Sequence, residues 1–215
     1  AADKTKTLLS EELSILTFIE WTEFYTLYSF PLVKDDYNRF RTGEMPLTIM
    51  PYTFYNQLMV AAPEIRNLWQ MTNIPGTLKG DRSIDRSEAA TGSGSVMLAD
   101  AKNKKECWKF LEWWTRAETQ ASYGNKIEVV LGAAGRYPTA NVEALTMLPW
   151  TEEEADVIIS QWQWVREIPE VPGGYYMVRN IDNAFRAVVM RGENARESLN
   201  YWNKETNKEI ARKRK

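Results

Sequence analysis

Five carboxylates fall near expected loops: Glu44, Glu64, Glu128, Glu170 and Asp182. Glycoside hydrolysis would need two of them facing one cleft at roughly 5 to 9.5 Å, and no spacing here marks such a pair. The chain has no histidine, so the commonest proton shuttle and metal ligand near neutral pH is missing and histidine-based triads are excluded. Only Cys107 could offer a thiolate, which leaves metal binding to carboxylate oxygens. Asp81 and Asp85 lack the further acidic spacing of a calcium loop. The run Gly92-Ser93-Gly94-Ser95 lacks the lysine and the length of a phosphate loop. A nucleophilic serine or threonine would have lysine alone as its base. These residues point to binding without catalysis, and no metal or cofactor is expected.

Aromatic rings are in surplus, with 9 tryptophans and 10 tyrosines, and flat rings suit both sugar and base faces. The 27 basic and 29 acidic residues are interspersed apart from the terminal KEIARKRK, which reads as a solvated helix end, so nucleic acid is not an expected partner and sugars are favoured. The focal stretch is 168–189, IPEVPGGYYMVRNIDNAFRAVV. Pro169, Pro172, Gly173 and Gly174 impose an irregular backbone that delivers Tyr175, Tyr176 and Arg179 to the head of a helix. Rings at the mouth of a rigid loop offer a stacking platform; simple packing is the competing reading.

The elements that must position these groups follow from local signals. At 215 residues the chain can hold one large domain or two small ones with a sizeable core. Ser10 is expected to cap a first helix carrying Leu13, Leu16, Ile19, Phe24, Leu27 and Tyr28, ended by Pro31. A short helix from Asp35 stops at Gly43. PLTIM (46–50) reads as a buried strand leading into a helix that starts at Tyr52, Phe54 and Tyr55, the kind of junction where open α/β sheets place ligands. Residues 68–74 and 96–99 read as two more short strands, and the polar, glycine-bearing segment 79–95 as a flexible crossing.

Asn103 or Asp100 should start the helix KKECWKFLEWWTRAETQASYG, with its tryptophans in the core and Cys107 as a small buried hydrophobe. Another helical turn, 126–131, stops at Gly132, and the loop AAGRYPTAN presents Arg136 and Tyr137. Thr151-x-x-Glu154 is a capping box opening a helix that carries Ile158, Ile159, Trp162 and Val165. The helix from Tyr175 stops at Gly192, and Asn194 caps the last helix. No run approaches the ~20 apolar residues of a membrane span, and AADKTKTLLSEE lacks a signal-peptide pattern.

Four blocks, FRTGEMPLTIMPYTFYNQLMVAAPEI, WQMTNIPGT, ECWKFLEWWTRAETQASYGNKIEVVLGAAGRYPTAN and the focal stretch, occur in the order found in family 1 extracellular solute-binding proteins. The chain resembles the C-terminal part of these receptors, which serve bacterial ABC importers of sugars and oligosaccharides. The resemblance implies an α/β, helix-rich, periplasmic-binding-protein-like (type II) fold, mainly the C-terminal lobe with part of the N-terminal one. It divides the chain into 1–78, first part of the C-terminal lobe; 79–95, a crossing; 96–150, remnant of the N-terminal lobe and return crossing; and 151–215, the helical part of the C-terminal lobe. The family's aromatic sugar platform falls on Tyr52 and Tyr55, its later loop on Tyr175, Tyr176 and Arg179, and its crossing-lobe loop on Arg136 and Tyr137.

By the same resemblance the partners are an oligosaccharide and the importer's membrane permease subunits, and the protein is a monomer. The full-length parent would be extracytoplasmic and anchored as a lipoprotein, with its signal peptide and most of its N-terminal lobe preceding this sequence. Two other readings stay open: a helical interaction module without a small-molecule ligand, and a glycoside-active enzyme.

Overall fold

The computed structural model describes residues 4–90 and 92–214. In chain order these form α1 (Glu12–Thr26), α2 (Asp36–Arg41), α3 (Phe54–Ala61), β1 (Thr77–Leu78), β2 (Ile84–Asp85), α4 (Lys104–Trp114), α5 (Ala117–Leu131), α6 (Val142–Thr146), α7 (Glu152–Trp162), α8 (Tyr175–Arg191) and α9 (Ala195–Lys213). The protein is helix-rich, and two compact units share it: one takes the described residues of 1–34 and 168–215, the other 35–167.

The first unit packs α1 against the α8–α9 hairpin. Ile15 and Phe18 of α1 meet Ala184, Val188 and Leu199, with Ile19, Phe185 and Trp202 around them. Alanines 184 and 187 are fully buried, and their small side chains let the helices approach closely. The hairpin turn follows from Gly192 at φ +70°, whose N–H donates to the Val188 carbonyl at 3.0 Å. Asn194 then accepts from the Glu197 N–H at 3.0 Å, the expected cap. Ser10 does not cap α1. Its hydroxyl accepts from Asn203 Nδ2 at 2.5 Å, and Glu11 is the uncapped lead-in, because a polar partner on α9 competes for the serine.

In the second unit, Phe54, Leu58 and Ala62 form a core with Tyr37, Phe40, Ile65 and Trp69. Asp35 caps α2 through the Asn38 N–H at 3.1 Å, and Gly43 (φ +75°) follows its end, both as expected. The capping box at Thr151 and Glu154 is present in both directions.

The three expected strands do not form. Leu47 and Ile49 are 85% and 66% exposed, and Val96 and Leu98 are exposed too, because a strand needs a neighbour's ladder and the described residues supply none there. Residues 68–74 bond to α7 instead of to a strand: Ile74 N–H donates to the Gln161 side-chain Oε1 (3.1 Å), and the Asn73 side-chain Nδ2 donates to the Val157 backbone carbonyl (3.2 Å). The ladder that does form is the antiparallel pair β1–β2, Thr77 opposite Asp85, and β2 with its turn lies inside the segment expected to be a flexible crossing.

The long helix expected from residue 104 is two. Thr115 bonds back to the Leu111 carbonyl (2.9 Å), its own carbonyl accepts from Asn141 Nδ2 (3.1 Å), and Arg116 is extended. Gly124, the expected last residue of that helix, lies inside α5, which continues through the turn expected at 126–131; a Cβ there would sit 2.6 Å from Leu148 Cδ2, so the residue serves close packing. The tryptophans expected in the core are not all there. Trp108 is 61% exposed and Trp113 is exposed, α4 buries none of its residues, and Cys107 is only half-buried. Helix α6 went unanticipated; its signal is Asn141, which accepts from the Ala144 N–H at 2.9 Å.

Candidate functional site

Within the unit spanning 35–167, Tyr52 and Tyr55 stand three residues apart where the chain turns into α3, with the Tyr55 N–H donating to the Tyr52 carbonyl at 3.1 Å. That spacing puts both rings on one side. Tyr55 is buried, 4.8 Å from the Trp150 ring and 5.4 Å from Trp69, while half-buried Tyr52 lies 6.0 Å from Trp150 and 6.1 Å from Trp162. Burial pushes the Tyr52 phenol up to about 12, and the nearby Tyr137 adds to the effect. Burial also raises Tyr55, with Glu154 adding and Arg136 opposing.

Arg136 sits among these rings. Its guanidinium carbon lies 5.0 Å from the Tyr55 centroid and 4.7 Å from that of Trp150. Glu128, on the last turn of α5, accepts from Arg136 Nη2 at 2.7 Å and from Nε at 3.2 Å. Burial works against the arginine's charge; the Glu128 hydrogen bond and charge more than offset it, so Arg136 holds its proton more tightly than usual. The chain brings the two together because Gly132 (φ +62°) ends α5 and a short 3-10 turn reverses direction. Tyr137 packs edge-on to Tyr123 (5.1 Å) and to Trp114 (6.3 Å).

In the other unit, Tyr175 and Tyr176 open α8 with ring centroids 4.6 Å apart, and Arg179 lies 5.8 Å over the Tyr176 ring. Tyr175 is 62% exposed, and among the described residues Arg179 makes no ion pair. Gly173 (φ +81°) shapes the approach, since a Cβ there would lie 3.0 Å from the Glu209 carbonyl oxygen. Thus Tyr52, Tyr55, Arg136 and Tyr137 share one unit, and Tyr175, Tyr176 and Arg179 the other.

Four of the candidate carboxylates are engaged by arginines: Glu44 by Arg39 (2.8 Å), Glu64 by Arg41, Glu128 by Arg136 and Asp182 by Arg186 (2.8 Å). No cluster of His, Cys, Asp or Glu among the described residues could hold a metal ion. No described helix is long and apolar enough to cross a membrane. An open groove of about 820 Å³ lies elsewhere, between residues 95–101 and α4, lined by Val96, Leu98, Cys107 and Phe110. Sequence reasoning missed Trp150 and Asn56 as members of the Arg136 cluster. The available signal for Trp150 was its position directly before a capping box.

The chain matches no protein-family model, and no curated protein matches it.

Proposed function

We propose that the protein binds a carbohydrate, an oligosaccharide or sugar, as the receptor component of an ABC-type importer, without catalysis. The observation that carries this reading is the tyrosine pair at the head of α8: an exposed Tyr175 ring beside Tyr176, with Arg179 unengaged by any described carboxylate. A ring face takes the apolar face of a sugar, and an arginine completes hydroxyl hydrogen bonds. The ordered resemblance to family 1 solute-binding proteins supports the same reading. With it come a type II periplasmic-binding-protein-like fold, an extracytoplasmic, lipoprotein-anchored full-length parent, and partnership with permease subunits. Tyr52, Tyr55, Arg136 and Tyr137 are proposed as further ligand-site residues.

The test is the melting temperature and tryptophan fluorescence of the chain against a panel of oligosaccharides at millimolar concentration. A ligand that binds only the folded state raises the melting temperature in a saturable way. No saturable response to any sugar would overturn the reading for this chain. A second reading, a helical interaction module, is favoured by the exposed apolar groove along α4. Concentration-dependent self-association or a protein partner, with no sugar response, would support it.

A further inference from the structure

Helix α4 is 11 residues long and buries none of them. Successive residues of a helix turn by about 100°, which places Cys107, Phe110, Leu111 and Trp114 on one stripe with Trp108 and Trp113 at its two margins. The neighbouring α5 takes only part of that stripe. Trp114 packs edge-on to Tyr123 at 5.1 Å and Leu111 is half-buried, while Trp108, Phe110 and Trp113 are exposed. The segment before the helix adds exposed Val96 and Leu98, and the open groove of about 820 Å³ runs between the two. Apolar surface gathered in this way marks a face that is covered in use.

Charge selects what covers it. Lys102, Lys104 and Lys105 gather at the head of α4 with no carboxylate partner among the described residues, whereas Lys109 and Arg116 further along are held by Glu106 (3.0 Å) and Glu112 (3.9 Å). Lysines at a helix N-terminus meet the positive end of its dipole, so an external anion relieves an unfavourable local arrangement. Tryptophans at the edges of an apolar stripe, with lysines beside and opposite it, are the pattern of a helix lying flat in the headgroup region of a bilayer. At roughly 16 Å the helix is far too short to span one. We propose that α4 and residues 96–98 form a membrane-surface docking face that recognises anionic phospholipid. The inference stands apart from the carbohydrate reading and does not use it.

The experiment is sedimentation of the intact chain with vesicles of phosphatidylcholine alone and of phosphatidylcholine mixed with phosphatidylglycerol, at low and at physiological ionic strength. The chain is expected to bind the anionic vesicles and to bind them less as salt rises. Binding should fall by about tenfold or more in Trp108→Ser with Phe110→Ser, and again in Lys104→Glu with Lys105→Glu. All four side chains are exposed, so both variants should fold, and melting curves check that they do. The basic end of α9 is the competing cationic surface, and Lys213→Glu with Arg214→Glu should leave binding unchanged. Absence of binding, equal binding to neutral vesicles, or binding lost with the α9 change and kept in the α4 variants overturns the proposal. Concentration-dependent self-association that Trp108→Ser with Phe110→Ser abolishes, without vesicle binding, overturns it in favour of a protein partner.

Discussion

Arg136 grips Glu128 with two nitrogens, Nη2 at 2.7 Å and Nε at 3.2 Å, while its planar face lies against Tyr55 and Trp150. The pair is well shielded, with side chains 9% and 16% exposed. One ion pair thereby ties the end of α5 to the start of α3 and to the turn before α7.

Removing one partner of this pair should cost more than removing both. Glu128→Leu leaves the arginine's charge buried without its carboxylate and is expected to destabilise the chain by about 3 kcal/mol. Adding Arg136→Met should recover part of that loss, with a coupling above about 1 kcal/mol. Urea denaturation of the two single variants and the double checks this, and additive losses would show that the pair does not act as a unit.

Tyr52 should be among the last phenols to ionise. Its folded-state value of about 12 lies above the ordinary value near 10. Between those two pH values the unfolded chain has released this proton and the folded chain has not, so stability falls with rising pH across that window. Tyr52→Phe should flatten that part of the alkaline stability profile. Spectrophotometric titration of wild type against variant should lose a late-ionising tyrosine; loss of an ordinary one would refute the assignment.

Two left-handed glycines should respond differently to alanine. Gly192 (φ +70°) has open space where a Cβ would go, so Gly192→Ala is expected to cost about 1 kcal/mol, the conformational term alone. At Gly173 (φ +81°) the added carbon also meets the backbone of Glu209 and Ile210 at 3.0–3.1 Å. There we expect a loss of about 2 kcal/mol or more, because backbone cannot swing aside as a side chain can. Thermal melts of both variants give the order directly.

Thr151→Ala removes one half of the box that starts α7 and should cost about 1 kcal/mol. Since the Trp150 ring precedes that cap, the variant should also change tryptophan emission. A stability loss with unchanged fluorescence would separate the helix start from the placement of Trp150.

Tyr175→Ala tests the proposed binding face. An exposed ring contributes little to folding, so the melting temperature should stay nearly constant while sugar affinity drops by on the order of 1 kcal/mol. Unchanged affinity would remove Tyr175 from the site.

Most helix ends whose deciding interaction is local were legible in the sequence, the Asn141 cap of α6 being the local signal that went unread. Thr151 with Glu154, Asn194 with Glu197, Asp35 with Asn38, and the stops at Gly43, Gly132 and Gly192 each need only three or four neighbouring residues. Tertiary structure decided what depends on distant partners. PLTIM has strand composition, yet it stays bare because no described segment pairs with it, and Ile74 gives its N–H to a side chain 87 residues away. The split between α4 and α5 depends on Asn141 reaching Thr115. The Arg136 cluster depends on Asn56 meeting a carbonyl 80 residues on. Sequence alone determined a helix-rich chain without histidine chemistry and with tyrosines and arginines at its turns, because propensity, capping and composition act over a few residues. Which rings are buried and which arginine is held by which carboxylate was settled only in three dimensions, because burial and charge pairing are properties of neighbours in space.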